Sequence, residues 1–228
     1  MAAPQQHFPD LLPLDQALPQ ILDPIPVLEI EEKPLLEVVG QVLAEDVVSD
    51  VDVPPFANSA MDGFAVRAGE TPGRLIVIAD QPAGYVTDKA VEPGTAIRIM
   101  TGAAMPAGAD TVVPVEDTDG GRDGSVNIAV ATPPGANVRA AGEDVRQGET
   151  VLPGGTALSA GMIGVLASIG RPRVKVYRRP VVAFMASGDE LVAADQPLAP
   201  GKIRNSNSYT LYCQIQQAGG IPRDLGVA

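Results

Sequence analysis

The run "PVVAFMA" (180–186) is unbroken in its hydrophobicity and ends abruptly at the polar glycine turn "SGDE" (187–190). An apolar run without alternation reads as a strand buried on both faces, the kind found in parallel sheets covered by helices. Downstream, "GKIRNSNSYTLYCQIQQAGG" (201–220) supplies cap residues Asn205 and Ser206, a helix with Leu211, Tyr212 and Ile215 inward, and a glycine stop. "IPRDLGVA" (221–228) then opens a second strand. Strand, helix, strand is the opening of a parallel αβα sheet. Two strands and one helix cannot cover the faces of such a sheet, so the final domain is expected to be truncated, in a fragment or in a chain that another chain completes.

Working back from this stretch, the pattern between Val47 and Val130 consists of short apolar runs separated by turns: "RLIVIA" (74–79), "TAIRIM" (95–100), "DTVVPVE" (110–116) and "SVNIAV" (125–130), the last after the Gly-rich "TDGGRDG" (118–124). This predicts a β domain whose wetter edges, "AGYVTDKAVEPG" (83–94) and "TGAAMPAGAD" (101–110), hold little regular structure. Helices are expected on either side of it. "LDQALPQIL" (14–22) is a short one with Asp15 as cap, with Pro19 tolerated only in a first turn. Pro34 to Ala44 places Leu35, Val38, Val39, Val42 and Leu43 at helical spacing behind a proline suited to the first turn, which predicts an amphipathic helix. "TVLPGGTALSAGMIGVLASIG" (150–170) reads as a strand, a turn and a helix from about Ser159 to Ile169, followed by the strand "VKVY" (174–177). The β domain therefore interrupts a single module, a discontinuous linker domain.

Composition bounds the chemistry. The chain has 228 residues, 45% hydrophobic and 19% charged, which is globular and large enough for more than one domain. Its net charge is −12, and the first sixty residues hold eleven acids against Lys33 alone, so a polyanion such as nucleic acid is repelled. The basic cluster Arg171, Arg173, Lys175, Arg178 and Arg179 alternates along an expected strand and reads as a solvated face. Cys213 is the only cysteine, no positive n-region or run of 18 apolar residues occurs, and a reducing cytoplasm without membrane insertion is expected. His7 is the only histidine, and no G-x-x-x-x-G-K-[ST] occurs, which excludes His-based triads, His-rich zinc sites and the P-loop. Carboxylates, hydroxyls, amides and backbone N–H groups remain, with or without Mg²⁺.

Four polar turns adjoin apolar elements: "NSAMDG" (58–63), "MTGAAMP" (100–106), "GED" (142–144) and "SGDE" (187–190). Taken singly, each is explained as a turn, with Asp62-Gly63 as a φ > 0 reversal and Asn or Ser bonding the backbone. "SGDE" has the best position, at the carboxyl end of a strand where open α/β sheets bind ligands. The helix starting near Ser206 would aim its N–H groups at an oxyanion there, and Asp189 with Glu190 would then require a divalent cation between.

Together, "DVPPFANSAMDGFAVRA", "IRIMTGAAMPAGADTVVPVE", "NVRAAGEDVRQGE", "SGDEL" and "GKIRNSNSYTL", in this order and spacing, resemble molybdopterin molybdenumtransferase, the MoeA family that includes the gephyrin E domain. The resemblance implies molybdenum cofactor biosynthesis: insertion of molybdate into adenylylated molybdopterin with release of AMP, dependent on Mg²⁺. It implies a cytoplasmic homodimer, with molybdopterin adenylyltransferase as upstream partner, and an active-site cleft between the β domain of one subunit and the αβα domain of the other. The implied organisation is an N-terminal helix (1–25) packed on the αβα domain, a discontinuous α+β linker (26–49 plus 141–178), an inserted β domain (50–140) and an incomplete αβα molybdopterin-binding domain (179–228).

Carried over by position, the resemblance implies catalytic carboxylates at Asp62, Asp144 and Glu190, and metal ligands at Asp189 and Glu190. Substrate-binding groups are implied at Asn58, Ser59, Met61, Thr101, Gly102, Glu143, Ser187, Gly188, Ser206 and Asn207. Asp62-Gly63 would reverse the chain and leave Asn58 and Ser59 facing outward. Ala57 stands where many members carry Asp, Ser187 replaces the commoner Thr, and the family's later Gly-Gly-Val-Ser and Pro-Gly-Asn-Pro segments are missing. The 228-residue chain alone is therefore expected to be inactive. The alternative is a non-catalytic dimeric scaffold that binds a peptide, as E domains can. A pterin-adenylating nucleotidyltransferase is disfavoured, because it would not explain the long β insertion.

Overall fold

The structure is a computed structural model that describes residues 12–228, so His7 and the first part of the expected N-terminal segment lie outside the described residues. In chain order it contains α1 (Leu14–Leu22), β1 (Ile30–Pro34), β2 (Val47–Val48), β3 (Asn58–Ser59), β4 (Gly63–Val66), β5 (Gly73–Gln81), β6 (Thr95–Ile99) and β7 (Thr111–Pro114). There follow β8 (Ser125–Ile128), β9 (Val138–Arg139), β10 (Thr150–Leu152), α2 (Ala160–Ser168), β11 (Arg173–Tyr177), β12 (Val181–Ala186), β13 (Leu191–Val192), β14 (Ile203–Arg204), α3 (Ser206–Gln217) and β15 (Ile221–Val227). The chain divides into two compact units, one of residues 46–154 and 161–172, the other of residues up to 45, 155–160 and 173–228.

The first of these units is built on a five-stranded mixed sheet in the order β7-β4-β6-β5-β8, with only β5 and β6 parallel. Alternation along β4 sends Phe64 and Val66 to one core with Leu75, Ala96, Val113, Val126 and Ile128, and Ala65 to another with Ile99, Ala103 and Val112. All four expected apolar runs are strands here, and the loops 82–94 and 100–110 are irregular as expected. Asp62-Gly63 is not a φ > 0 reversal. Gly63 is the first residue of β4, paired with Pro114, and a Cβ there would overlap the Val113 carbonyl, so the glycine is required by close strand approach.

In the other unit, β1 pairs antiparallel with β11 from Ile30↔Tyr177 to Pro34↔Arg173. The helix expected over Pro34 to Ala44 is absent. Only Leu35–Glu37 forms a 3-10 turn, and Gly40 then takes φ +77°. The later amides bond across the chain, Gly40 N–H to Leu158 O (2.8 Å), Leu43 N–H to Thr156 O (2.9 Å) and Ala44 N–H to Lys175 O (3.0 Å), so tertiary pairing overrides helical spacing. Leu35, Val38 and Leu43 are buried even so, whereas Leu36 is 90% exposed and Val39 exposed.

Alternation along 171–179 leaves its cations outward, each with a partner. Arg173, Lys175 and Arg178 pair with Glu32, Glu45 and Glu29, and Arg171 pairs with Asp50. Arg179 donates to the Val39 and Gly219 carbonyls instead. The helix expected at 159–169 is α2, ended by Gly170 at φ +76°. In α1, Pro13 holds the N-cap position without a side-chain bond, Asp15 lies in the first turn rather than at the cap, and Pro19 is inside the helix. No residue of α1 is buried.

The segment that opened the sequence reading forms a parallel β12–β15 pair joined through α3, with β13 and β14 as a second short parallel pair. The helix begins where expected, with Asn205 as N-cap accepting from Ser208 N–H and Gly219 at φ +86° behind it. Two expectations fail. β12 is not buried on both faces, since Val181, Val182 and Met185 are exposed, and Leu211 and Tyr212 of α3 are exposed rather than inward. The cause is one of number: two strands and one helix present more apolar surface than they cover.

Candidate functional site

Three of the four polar turns meet in the unit that carries the five-stranded sheet. β3 pairs with β9, so Asn58 lies opposite Arg139 and Ser59 opposite Val138. Ser59 N–H donates to Ala103 O (3.0 Å), and Gly102 N–H returns to Ser59 O (2.8 Å). Gly142 N–H reaches Pro54 O and Asp144 N–H reaches Val53 O, both at 2.9 Å. The loops at 53–62, 100–105 and 137–145 are thereby sewn into one surface by backbone bonds.

Within it the predicted residues divide by role. Asn58 and Ser59 are 5% and 1% exposed, so they do not face outward as expected. Asn58 donates to Phe56 O, and the Ser59 hydroxyl donates to Met61 O at 2.5 Å while accepting from Met61 N–H at 3.2 Å. Their short polar side chains fold the loop onto itself. Met61, Asp62, Thr101, Gly102, Glu143 and Asp144 are the exposed members. Asp62 Oδ1 accepts from both the Thr101 N–H (2.8 Å) and the Thr101 hydroxyl (2.7 Å). The N–H foremost, then the hydroxyl, hold the Asp62 carboxyl below its ordinary range, with help from the charge of Arg98.

Arg139 was not singled out from the sequence. Its guanidinium lies 2.7 Å from both oxygens of Asp144 and 3.4 Å from Glu143, whose other oxygen accepts from Ala140 N–H. Asp144, then Glu143, raises the Arg139 pKa. An arginine four and five residues before two acids in "RAAGED" was the available signal.

The fourth turn lies in the other unit, where Ser187, Glu190, Ser206 and Asn207 line a recess of about 400 Å³ with Ala186, Arg204 and Leu211. Gly188, at φ +144°, belongs at the bend, because a Cβ would collide with the Glu190 carboxylate. The Lys202 amine donates to the Asp189 carbonyl, and Ile203 N–H to the Glu190 carbonyl (2.9 Å), which fixes the turn against β14. Asn205 and Ser208 bond each other beneath the helix start. Among the described residues no group of three His, Cys, Asp or Glu is placed to hold a metal ion. None of the helices of the described residues is long and apolar enough to cross a membrane.

Fold and site together define a chain of two α/β units with polar loops at strand ends, one set rich in backbone-bonded carboxylates and one at a βαβ crossover. Residues 12–170 match the model of the MoeA N-terminal region (domain I and II), and the chain belongs to that family. It is 45% identical over 195 residues to a molybdopterin molybdenumtransferase of Nostoc sp., covering 82% of this chain and 44% of the relative. To the Bacillus subtilis molybdopterin molybdenumtransferase it is 39% identical over 225 residues, 94% of this chain and 52% of that protein. The crystal structure of the molybdopterin biosynthesis moeA protein from Pyrococcus horikoshii superposes with a TM-score of 0.85 at 35% identity, covering 96% of this chain and 60% of that one. The chain thus spans about half the length of the curated relatives it matches.

Proposed function

We propose that this chain supplies the β domain, the linker and the first βαβ crossover of a molybdenum-inserting transferase, with domain limits at 26–49 plus 141–178, 50–140 and 179–228. In this reading adenylylated molybdopterin and molybdate are the substrates and AMP the leaving product. The observation that supports it best is the joining of three separate loops into one carboxylate-bearing surface, with Asp62 held by Thr101 and Asp144 by Arg139. Exposed carboxylates held in fixed places orient a cationic or metal-bridged substrate without reorganisation. Glu190, Ser187, Ser206 and the α3 N-terminus would receive the phosphate side of the substrate, the helix amides meeting its negative charge.

The donor set fits Mg²⁺ in part. Asp189 and Glu190 offer two carboxylates, which is what Mg²⁺ takes from a protein when phosphate and water complete its shell. Bound there, it would neutralise the pyrophosphate. The protein's own share is to present those acids on a turn braced by Lys202. Such a protein works as a cytoplasmic homodimer supplied by an adenylyltransferase in this reading.

Molybdate-dependent AMP release tests it. The chain alone should release none, whereas the chain joined at Ala228 to the remaining part of the Bacillus subtilis relative should release AMP and lose that activity with Asp62→Asn or Glu190→Gln. Release by the unfused chain, or undiminished release by both variants, would sink the assignment.

A further inference from the structure

Gln81 ends β5 opposite Ile99, a member of the core with Ala65, Ala103 and Val112. It is 1% exposed, at a position where burial alone calls for an apolar side chain. Both ends of its amide are used. Nε2 donates to the Ala104 carbonyl, and Oε1 accepts from the Thr87 N–H at 3.1 Å. A carbonyl only accepts and a backbone N–H only donates, so the amide has one orientation there, and neither a hydrocarbon nor an ionised carboxylate replaces it.

The main chain of the same residue takes a third bond, from Met100 N–H to Gln81 O at 3.3 Å. Gln81 therefore grips the loop on both sides of Thr101, at Met100 before it and at Ala104 after it. Along its other edge the segment 103–105 bonds residues 57–59, through Ser59 N–H to Ala103 O and Met105 N–H to Ala57 O at 2.8 Å. Asn58 and Ala104 are thus a bridged pair without bonds of their own, and in such a pair the carbonyl points to the opposite edge. There the Ala104 carbonyl meets the Gln81 amide, whose bond to Thr87 ties the loop 82–94 into the same brace.

We propose that Gln81 is a positioning residue for the Asp62 carboxylate: its buried amide fixes the loop 100–104 so that the Thr101 N–H and hydroxyl both stand on Asp62 Oδ1. A carboxylate placed in advance spends nothing on reorganisation when substrate arrives. The catalytic consequence rests on the transfer reaction proposed above, whereas the brace itself does not.

NMR titration of the Asp62 carboxyl in the whole chain tests it. Gln81→Met fills a similar volume without either side-chain bond, and Asp62 should then titrate at higher pH than in the parent, because slackened Thr101 donors favour the charged form less. Gln81→Glu is the rescue. Over the acid range in which Asp62 titrates, the substituted carboxyl is buried and protonated, donates to Ala104 and accepts from Thr87, and should leave the midpoint where the parent has it. Gln41→Met removes the buried glutamine that bonds the Tyr177 carbonyl in the other unit; it controls for lowered stability and should not move Asp62. An unmoved midpoint in Gln81→Met, or an equal shift in Gln41→Met, would overturn the proposal.

Should Gln81→Met not fold, Gln81→Glu decides alone. Relative to the parent, its Thr101 N–H should be equally protected from hydrogen exchange in acid and at least about tenfold less protected once the substituted carboxyl ionises. Equal protection throughout would sink the brace. Joined at Ala228 to the remaining part of the Bacillus subtilis relative, Gln81→Met should release AMP at least about tenfold more slowly at saturating substrate. Undiminished release beside a shifted Asp62 titration would overturn the catalytic role. If the fused parent releases no AMP, it is the transfer reading that fails, and the Asp62 titration still decides for Gln81.

Discussion

The Asp62 carboxylate carries two hydrogen bonds from a single residue, Thr101, and both reach Oδ1. Because these donors favour the charged form, the folded pKa lies below the unfolded one. The sign follows: the contribution of Asp62 to stability is present above the unfolded value, near 4, and is lost as pH falls through the depressed folded value. Thr101→Val removes the hydroxyl and spares the N–H. The Asp62 carboxyl, followed by NMR, should then titrate at higher pH, part of the way back to the ordinary value. An unmoved titration would mean that the backbone donor alone holds the charge. Asn58 and Ser59, four and three residues away, show why residue type does not give residue role. The same small polar side chains serve an outward site or an inward loop brace, and only burial separates the two.

At the scale of elements, what could be read from the sequence was whatever depended on neighbours along the chain. The four runs of the five-stranded sheet, α2 with its Gly170 stop, and the Asn205 cap of α3 all follow from local pattern. The region 34–44 did not, because β11 and residues 155–158 claim its backbone, and no periodicity records a partner more than a hundred residues away. Likewise the grouping of the loops at 58–62, 101–105 and 139–144 was legible as separate motifs, while the Arg139 clasp on Asp144 was visible only once β3 and β9 were paired. Gly63 gives this scale its sharpest test. It read as a turn glycine, yet it opens β4 against the Val113 carbonyl, at the first position of two strand pairings. Gly63→Ala requires β4 and β7 to separate, and a loss of about 2–4 kcal/mol is expected, typical of overpacking beside rigid backbone. Urea unfolding of that variant beside Gly69→Ala, where nothing lies within 4 Å of an added Cβ, checks it. Equal midpoints would show that the sheet yields without cost.

For the molecule as a whole, the decisive quantity is charge and how it is spent. A net charge of −12 with sixteen Lys and Arg still leaves room for a basic patch, and the run Arg171 to Arg179 is the obvious place for one. The structure instead gives Arg171, Arg173, Lys175 and Arg178 an acid each, at 3.5, 3.6, 2.9 and 2.8 Å, and commits Arg179 to two backbone carbonyls. Each of these ion pairs is exposed and worth little to stability. Their effect is on the field: the strand presents alternating sign to solvent, and a phosphate chain approaching it meets Glu29, Glu32 and Glu45 beside its cations. Binding to a polyanion needs several cations whose counterions can be released together, and this surface has none to release. The chain should therefore pass unretained through immobilised heparin and leave duplex DNA unshifted at about 50 mM salt, a concentration low enough to exaggerate any attraction. Replacing Glu29, Glu32 and Glu45 by Gln frees three cations and should produce salt-sensitive retention. If the parent chain is itself retained and released steeply by salt, the ion pairs open in solution and 171–179 is an anion-binding surface after all.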